Sequence, residues 1–328
     1  MSSKIIRTLR NLLKNFYFDF RYFNIVIAIY RFNENVFHIL HLKKISLIFL
    51  EKKNKRIIGY LKNNYGYIFN NYKTQSNTMI KNNMKSPIWI CWFDGVDNAP
   101  PLVQKCIESI KKNSGTHPVN MITWDNIDSY IEIPDYILEK VKNGIIQLPH
   151  FADILRVCLL GEYGGLWLDS TIYCKETIPE RYFEYSFFTC KNVERNIRCV
   201  SKNQWTTFCL GGYKGNIFFY ALKDFFYKYW EQENHAIDYL FFDDAIEIAR
   251  SMLPMVDKMI NNVPNNNIYR DRLISKFDQE WKEGCLDEIF NTDTVLFKLG
   301  YKEKRYLNNY TKDGRKTIYY AFLNNFKI

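Results

Sequence analysis

LPHFADILRVCLLGEYGGLWLDSTIYC, residues 148–174, is the stretch that decides the fold. Phe151, Ile154, Leu155, Cys158 and Leu159 recur at helical spacing between 151 and 160. Pro149 and His150 stand at the front, where proline suits a first helical turn. Gly164-Gly165 ends the helix, because glycine tolerates the positive φ that a helix exit demands. Leu166-Trp167-Leu168 then reads as a short buried strand, and Asp169 emerges at its C-terminal edge. Ligands of open α/β sheets bind at the carboxyl ends of strands. The stretch therefore presents one carboxylate at a ligand edge, with Asp153 and Arg156 on the helix before it.

Upstream, residues 88–93 (IWICWF) form a buried first strand that turns at Asp94-Gly95. Pro100 and Pro101 open a helix through Lys112, Val119 to Trp124 is a second strand, and Pro134 to Asn143 a further helix. Strands alternating with helices predict an α/β fold with a parallel sheet. Downstream, a strand is expected at Phe187–Cys190 and a loop entering another strand at 201–212, which includes Ser201 and Trp205. Helices are expected at Asn216–Glu231 and at Asp238–Met252, the latter carrying Asp243 and Asp244. Thr294 to Lys302 reads as a short strand or turn bearing Lys298 and Lys302. No internal repeat is visible.

With 328 residues, 47% hydrophobic and 17% aromatic, the chain has enough apolar surface for a sizeable core. Its eight cysteines show neither C-x-x-C pairs nor zinc spacing. They read as reduced core thiols of a cytosolic protein. The net charge of +10 is uneven. Residues 1–85 hold sixteen Lys and Arg against Asp19, Glu34 and Glu51, leaving 29 basic and 32 acidic residues for 86–328. No signal-peptide pattern opens the chain. The longest early apolar run, Ile25 to Tyr30, is far short of the ~20 residues a bilayer span needs.

Lys4 to Phe23 reads as an amphipathic helix, with Ile5, Leu9, Leu12, Phe16, Phe20 and Phe23 opposite Lys4, Arg7, Arg10, Lys14 and Arg21. Ile45–Leu50 followed by Lys52, Lys53, Lys55 and Arg56 repeats the theme. Two compatible readings fit: a helix packed on the main domain with solvated cations, and a helix lying in an anionic membrane surface. No nucleic-acid motif accompanies the charge, so no nucleic-acid partner is expected. A polar, Asn-rich linker at 70–86 divides the chain into a basic aromatic extension, 1–85, and a catalytic domain, 86–328.

Ala152, Asp153, Arg156, Leu160, Gly164, Gly165 and Asp169 spell A-D-x-x-R-x-x-x-L-x-x-x-G-G-x-x-x-D. This run resembles the nucleotide-sugar site of GT-A glycosyltransferases of family 32 and of capsular polysaccharide synthesis proteins. The glucosylating clostridial toxins carry a similar run. The resemblance covers about residues 87–302 and implies a Rossmann-like GT-A domain. It implies transfer of a hexose, with retention, from a nucleoside-diphosphate sugar (UDP first) to a glycan or lipid-linked acceptor. It also implies a bacterial enzyme of surface-polysaccharide synthesis. The resemblance does not reach residues 1–85; their excess of cations beside an apolar stripe predicts peripheral attachment to the inner face of the plasma membrane.

The resemblance further implies roles for single residues. Asp153 and Arg156, with Gly164 and Gly165, belong to the donor pocket; Asp153 and Arg156 three apart on a helix also suit a simple ion pair. Trp92 matches an aromatic that stacks on the base, and equally suits a core. Asp169 matches the first carboxylate ligand of Mn²⁺ or Mg²⁺. The usual D-x-D reads Asp169-Ser170-Thr171 here, so Thr171 brings only a hydroxyl to the metal. Asp243 and Asp244 resemble an acidic pair near the acceptor or sugar. Apart from the resemblance, Lys298, in K-L-x-x-K, is a candidate cation for the diphosphate. His150 is a ligand contact or a cap. A catalytically inactive GT-A module, serving as a membrane-bound scaffold in glycan assembly, is the rival reading.

Overall fold

The 148–174 stretch forms a helix, a two-glycine turn and a strand in a computed structural model that describes residues 2–75, 78–83 and 85–326. Residues 2–5 and 304 are described by backbone alone, so the side chains of Lys4 and Ile5 lie outside the described residues. The chain opens with four helices: α1 (Ser2–Tyr22), α2 (Ile25–Ile39), α3 (Lys43–Tyr65) and α4 (Tyr67–Asn70). Then come β1 (Ile88–Cys91), α5 (Pro101–Asn113), β2 (Val119–Ile122), α6 (Asp135–Lys142), α7 (Leu148–Tyr163) and β3 (Gly165–Leu168). The second half holds β4 (Ile172–Cys174), β5 (Phe187–Thr189), β6 (Cys209–Gly212), α8 (Ile217–Gln232), α9 (Phe241–Met252) and α10 (Pro254–Asn262). It closes with α11 (Asp287–Phe290), β7 (Leu296–Lys298) and α12 (Ile318–Leu323).

The main sheet has the order β2-β1-β3-β6-β5. β1 runs parallel to both β2 and β3, as the alternation of strands and helices predicts. β6 is antiparallel to β3 and to β5, so the sheet is mixed rather than parallel throughout. A helical crossover is what makes strands parallel, and no helix of α length separates β5 from β6. β1 and β3 are buried at every position, as befits central strands covered on both faces. α7 is buried nearly all round, from His150 to Gly161. The turn between α7 and β3 needs both glycines. Gly165 has φ +92°, and a Cβ there would lie 2.1 Å from the carbonyl oxygen of Pro87. A Cβ on Gly164, at φ +68°, would lie 2.6 Å from the Lys214 amide nitrogen.

A second, two-stranded sheet pairs β4 with β7, opposing Ile172 to Lys298. Sequence pattern does not announce β4, since three residues are too few for a period-two alternation to register.

The N-terminal helices are joined to this body by packing and by charge. Ile57, Leu61, Tyr65 and Phe69 from α3 and α4 lie in the same core as Trp89, Trp167 and Phe225. Phe69 stacks on Phe225 of α8, with ring centroids 5.4 Å apart. Arg31 of α2 bonds Asp19 of α1 at 2.6 Å and the Ile237 carbonyl at 2.5 Å, and Lys53 of α3 pairs with Asp238 at 2.9 Å. Arg31 and Lys53 thus serve internal contacts. All eight cysteines are free, six of them buried.

Candidate active site

β1 and β3 are parallel neighbours, so Trp92, one residue past β1, and Asp169, one past β3, leave the sheet at the same edge. Asp169 is fixed there by its backbone: its amide donates to the Phe208 carbonyl at 2.9 Å. Its side chain, 28% exposed, is held on both oxygens. Oδ1 accepts from Arg156 Nη2 and from Trp167 Nε1, each at 3.0 Å. Oδ2 accepts from Lys298 Nζ at 2.7 Å. Burial alone would raise the Asp169 carboxyl, but Lys298 and Arg156 outweigh it and hold the group down at about 2.

Arg156 is the strut of the cluster. Its guanidinium is 5% exposed and bonds Asp153 Oδ1 at 2.9 Å as well as Asp169. It lies over the ring of Trp167, at 4.9 Å, and over that of Phe242, at 5.3 Å. Asp153 retains 16% exposure, so of the helix pair it is the carboxylate that meets solvent. Lys298 arrives from the end of β7, opposite Ile172, and its ammonium also donates to Thr171 Oγ1 at 2.8 Å. Tyr301, three residues on, packs edge-on against Trp92 at 5.6 Å. The Trp92 indole N–H is buried without a hydrogen-bond acceptor among the described residues.

Asp243 and Asp244, adjacent at the start of α9, face different surroundings. Asp243 accepts from Trp205 Nε1 at 2.8 Å and feels Asp153 and Arg156; burial pushes its carboxyl up to about 7 against the pull of the Trp205 bond. Asp244 feels Asp238, Lys53 and Arg31 on the side of the N-terminal helices, and burial raises it well above the usual carboxylate range. The structure therefore brings Asp153, Arg156, Asp169, Thr171, Lys298 and Trp92 to one sheet edge, with Asp243 beside them, and leaves Asp244 out. Gly164 and Gly165 also stand apart, at the opposite end of β3 from Asp169, where their task is the backbone turn. His150 Nδ1 lies 3.7 Å from Asp153 Oδ2, too far for a hydrogen bond.

A divalent cation does not fit this donor set. The two oxygens the sequence offers it, Asp169 Oδ2 and Thr171 Oγ1, both accept from the Lys298 ammonium, and Asp169 Oδ1 is committed to Arg156 and Trp167. Among the described residues no three His, Cys, Asp or Glu side chains converge on one point. Mg²⁺ and Mn²⁺ sites are built from oxygen ligands, carboxylates foremost.

Sequence reasoning missed Trp167, Phe208 and Phe242, and named Trp205 without a role. Trp167 was within reach, since residues two apart on a strand share a face with each other. For the rest no spacing marks them among so many aromatics.

The family model described as "Capsular polysaccharide synthesis protein" matches residues 37–321. Among curated proteins, the "O-glycosyltransferase braB" of Annulohypoxylon truncatum is 27% identical over 92 residues. That match covers 25% of this chain and spans only 22% of the relative's length.

Proposed function

The chain belongs to the capsular polysaccharide synthesis protein family, and we propose that the edge built from Trp92, Asp153, Asp169 and Lys298 is the donor site of a hexosyltransferase. The observation that carries this reading is the linked cluster at the carboxyl edge of the sheet, where one buried arginine, Arg156, joins Asp153 to Asp169 and Lys298 pairs with Asp169 from the other side. The family and the O-glycosyltransferase relative support a glycosyltransferase role. In the reaction the bond from the anomeric carbon to the β-phosphate oxygen breaks, its electron pair leaving with the nucleoside diphosphate. The acceptor hydroxyl oxygen bonds that carbon and its proton is released. Negative charge grows on the diphosphate, and a fixed cation stabilises it.

In this reading the half-buried face of Trp92 receives the base, uracil first. Asp153 accepts from a ribose hydroxyl, and Arg156 positions both carboxylates without reaching the ligand. Asp243, neutral up to about pH 7, offers a carboxyl on the sugar side of Asp153. The acceptor is a glycan or a lipid-linked oligosaccharide. α1 supplies the approach to it: Ile6, Leu9, Leu13, Tyr17 and Phe20 form an exposed apolar stripe at spacings of three and four, beside exposed Arg7, Arg10 and Lys14. Such a face suits an anionic membrane surface. No helix of the described residues is long and apolar enough to cross a membrane.

A thermal-shift panel of nucleoside-diphosphate sugars tests the donor site, because a ligand of the native state at a hundred times its Kd adds about 2.7 kcal/mol of stability. One or more should raise Tm for the wild type and not for Asp153→Ala. A panel with no response would remove the donor reading.

A further inference from the structure

We propose that the Lys298 ammonium takes the place of a divalent cation on the donor's diphosphate, so that the site binds and activates its donor without metal. This deepens the donor-site reading above and rests on it. Three observations carry it. The first is position: Nζ lies 2.7 Å from Asp169 Oδ2 and 2.8 Å from Thr171 Oγ1, the pair of oxygens that a metal in this loop would use. The second is construction. Lys298 is the last residue of β7, paired with Ile172; its amide donates to the Arg270 carbonyl at 2.8 Å, and the Leu299 amide donates to the Thr171 carbonyl at 2.9 Å. The lysine and the Asp169-Ser170-Thr171 turn are thus locked in register by backbone bonds, with the Phe208 ring 5.1 Å from the ammonium.

The third is charge. Asp169 is the single carboxylate of its loop, and Lys298 and Arg156 both already press on it. A divalent ion added there would face two cations and one shared carboxylate. An ammonium has three N–H donors; two are used here, and the third remains for a phosphate oxygen. Thr171, in the place where a second carboxylate would serve a metal, suits a lysine better, because a hydroxyl orients the ammonium without neutralising it. The charge on Lys298 is then available to the diphosphate as the bond to the sugar breaks.

The test uses the full chain freed of metal by chelation. Calorimetry with UDP, and with GDP, ADP and CDP in turn, is run in EDTA and in MnCl₂, and free Mn²⁺ is followed by electron paramagnetic resonance during titration. The proposal expects a nucleoside diphosphate to bind with the same affinity in both buffers, and no quenching of the Mn²⁺ signal by the protein. Lys298→Met should weaken that binding by about tenfold to a hundredfold, the worth of a charge-assisted hydrogen bond. Lys298→Arg should keep most of it. Affinity that rises with Mn²⁺, together with Mn²⁺ binding lost in Asp169→Asn, overturns the proposal and leaves the donor site standing. Wild-type affinity in Lys298→Met overturns it as well. Should Lys298→Met not fold, the two-buffer comparison of the wild type decides. No binding of any nucleoside diphosphate in either buffer removes the donor site and the Lys298 role together.

Discussion

Among single residues, Asp243 carries a pH dependence with a definite sign. Burial puts its folded carboxyl at about 7, whereas an unfolded aspartate titrates near about 4. Between those values the folded chain keeps a proton that the unfolded chain gives up, so stability falls as pH rises from about 4 to about 7. Asp243→Asn keeps an acceptor for Trp205 and removes the titration. Urea denaturation at several pH values should show the variant gaining on the wild type across that window and by a constant amount above it. Parallel curves would mean that Asp243 ionises normally. Arg156 gives a second prediction. Replacing it by Met leaves Asp153 and Asp169 without their shared cation and should cost about 3 kcal/mol, less whatever water recovers. In the Asp169→Asn background the same change should cost clearly less, because the two residues are coupled. Equal costs would make Arg156 a packing residue only. Asp153, Arg156 and Asp169 were legible in the sequence because one helix, one turn and one strand set their spacing. Trp205 was not: its bond to Asp243 joins residues 38 apart, and no local pattern encodes such a pairing.

Among the elements, the α7–β3 turn was the clearest feature in the sequence, and the structure shows why both glycines stand there. Gly165→Ala sets a Cβ against the Pro87 carbonyl at a positive φ. It should cost about 3 kcal/mol or more, beyond ordinary strain of this kind, and a denaturation midpoint close to wild type would refute the geometry of the turn. α1 was read as a helix with one apolar stripe; the structure divides that stripe. Leu12 is buried and Phe16 and Phe23 half-buried, while Leu9 and Phe20 join Ile6, Leu13 and Tyr17 on the exposed side. A helix that packs inward and still exposes a stripe of large apolar groups has a second face to cover. Co-sedimentation with liposomes should require anionic lipid, weaken with salt, and drop when Arg7, Arg10 and Lys14 become Glu, at about 1 kcal/mol per cation. Equal binding to neutral liposomes would remove the electrostatic part of this account. β4 escaped the sequence reading for want of length, and with it the register that sets Lys298 beside Thr171.

Across the molecule, strand–helix alternation gave the parallel pairs around β1, and the order of residues could not announce that β6 would enter the sheet antiparallel. The polar stretch at 70–86 suggested a boundary, yet α3 and α4 share the core of the sheet-bearing body, and the family match begins at residue 37, inside the segment set apart by charge. Leu61→Ala should therefore cost about 2–5 kcal/mol in the same cooperative transition that the sheet reports; a separate, earlier transition would restore an independent N-terminal unit. Everything proposed for this molecule depends on Asp169 and its cations forming a working donor site. Turnover of the stabilising sugar nucleotide by the wild type and by Asp169→Asn, compared at equal concentrations of folded protein, tests that directly. The wild type should release nucleoside diphosphate, and the variant should lose about a hundredfold or more of that rate with its fold retained. Near-normal turnover by folded Asp169→Asn would refute the assignment.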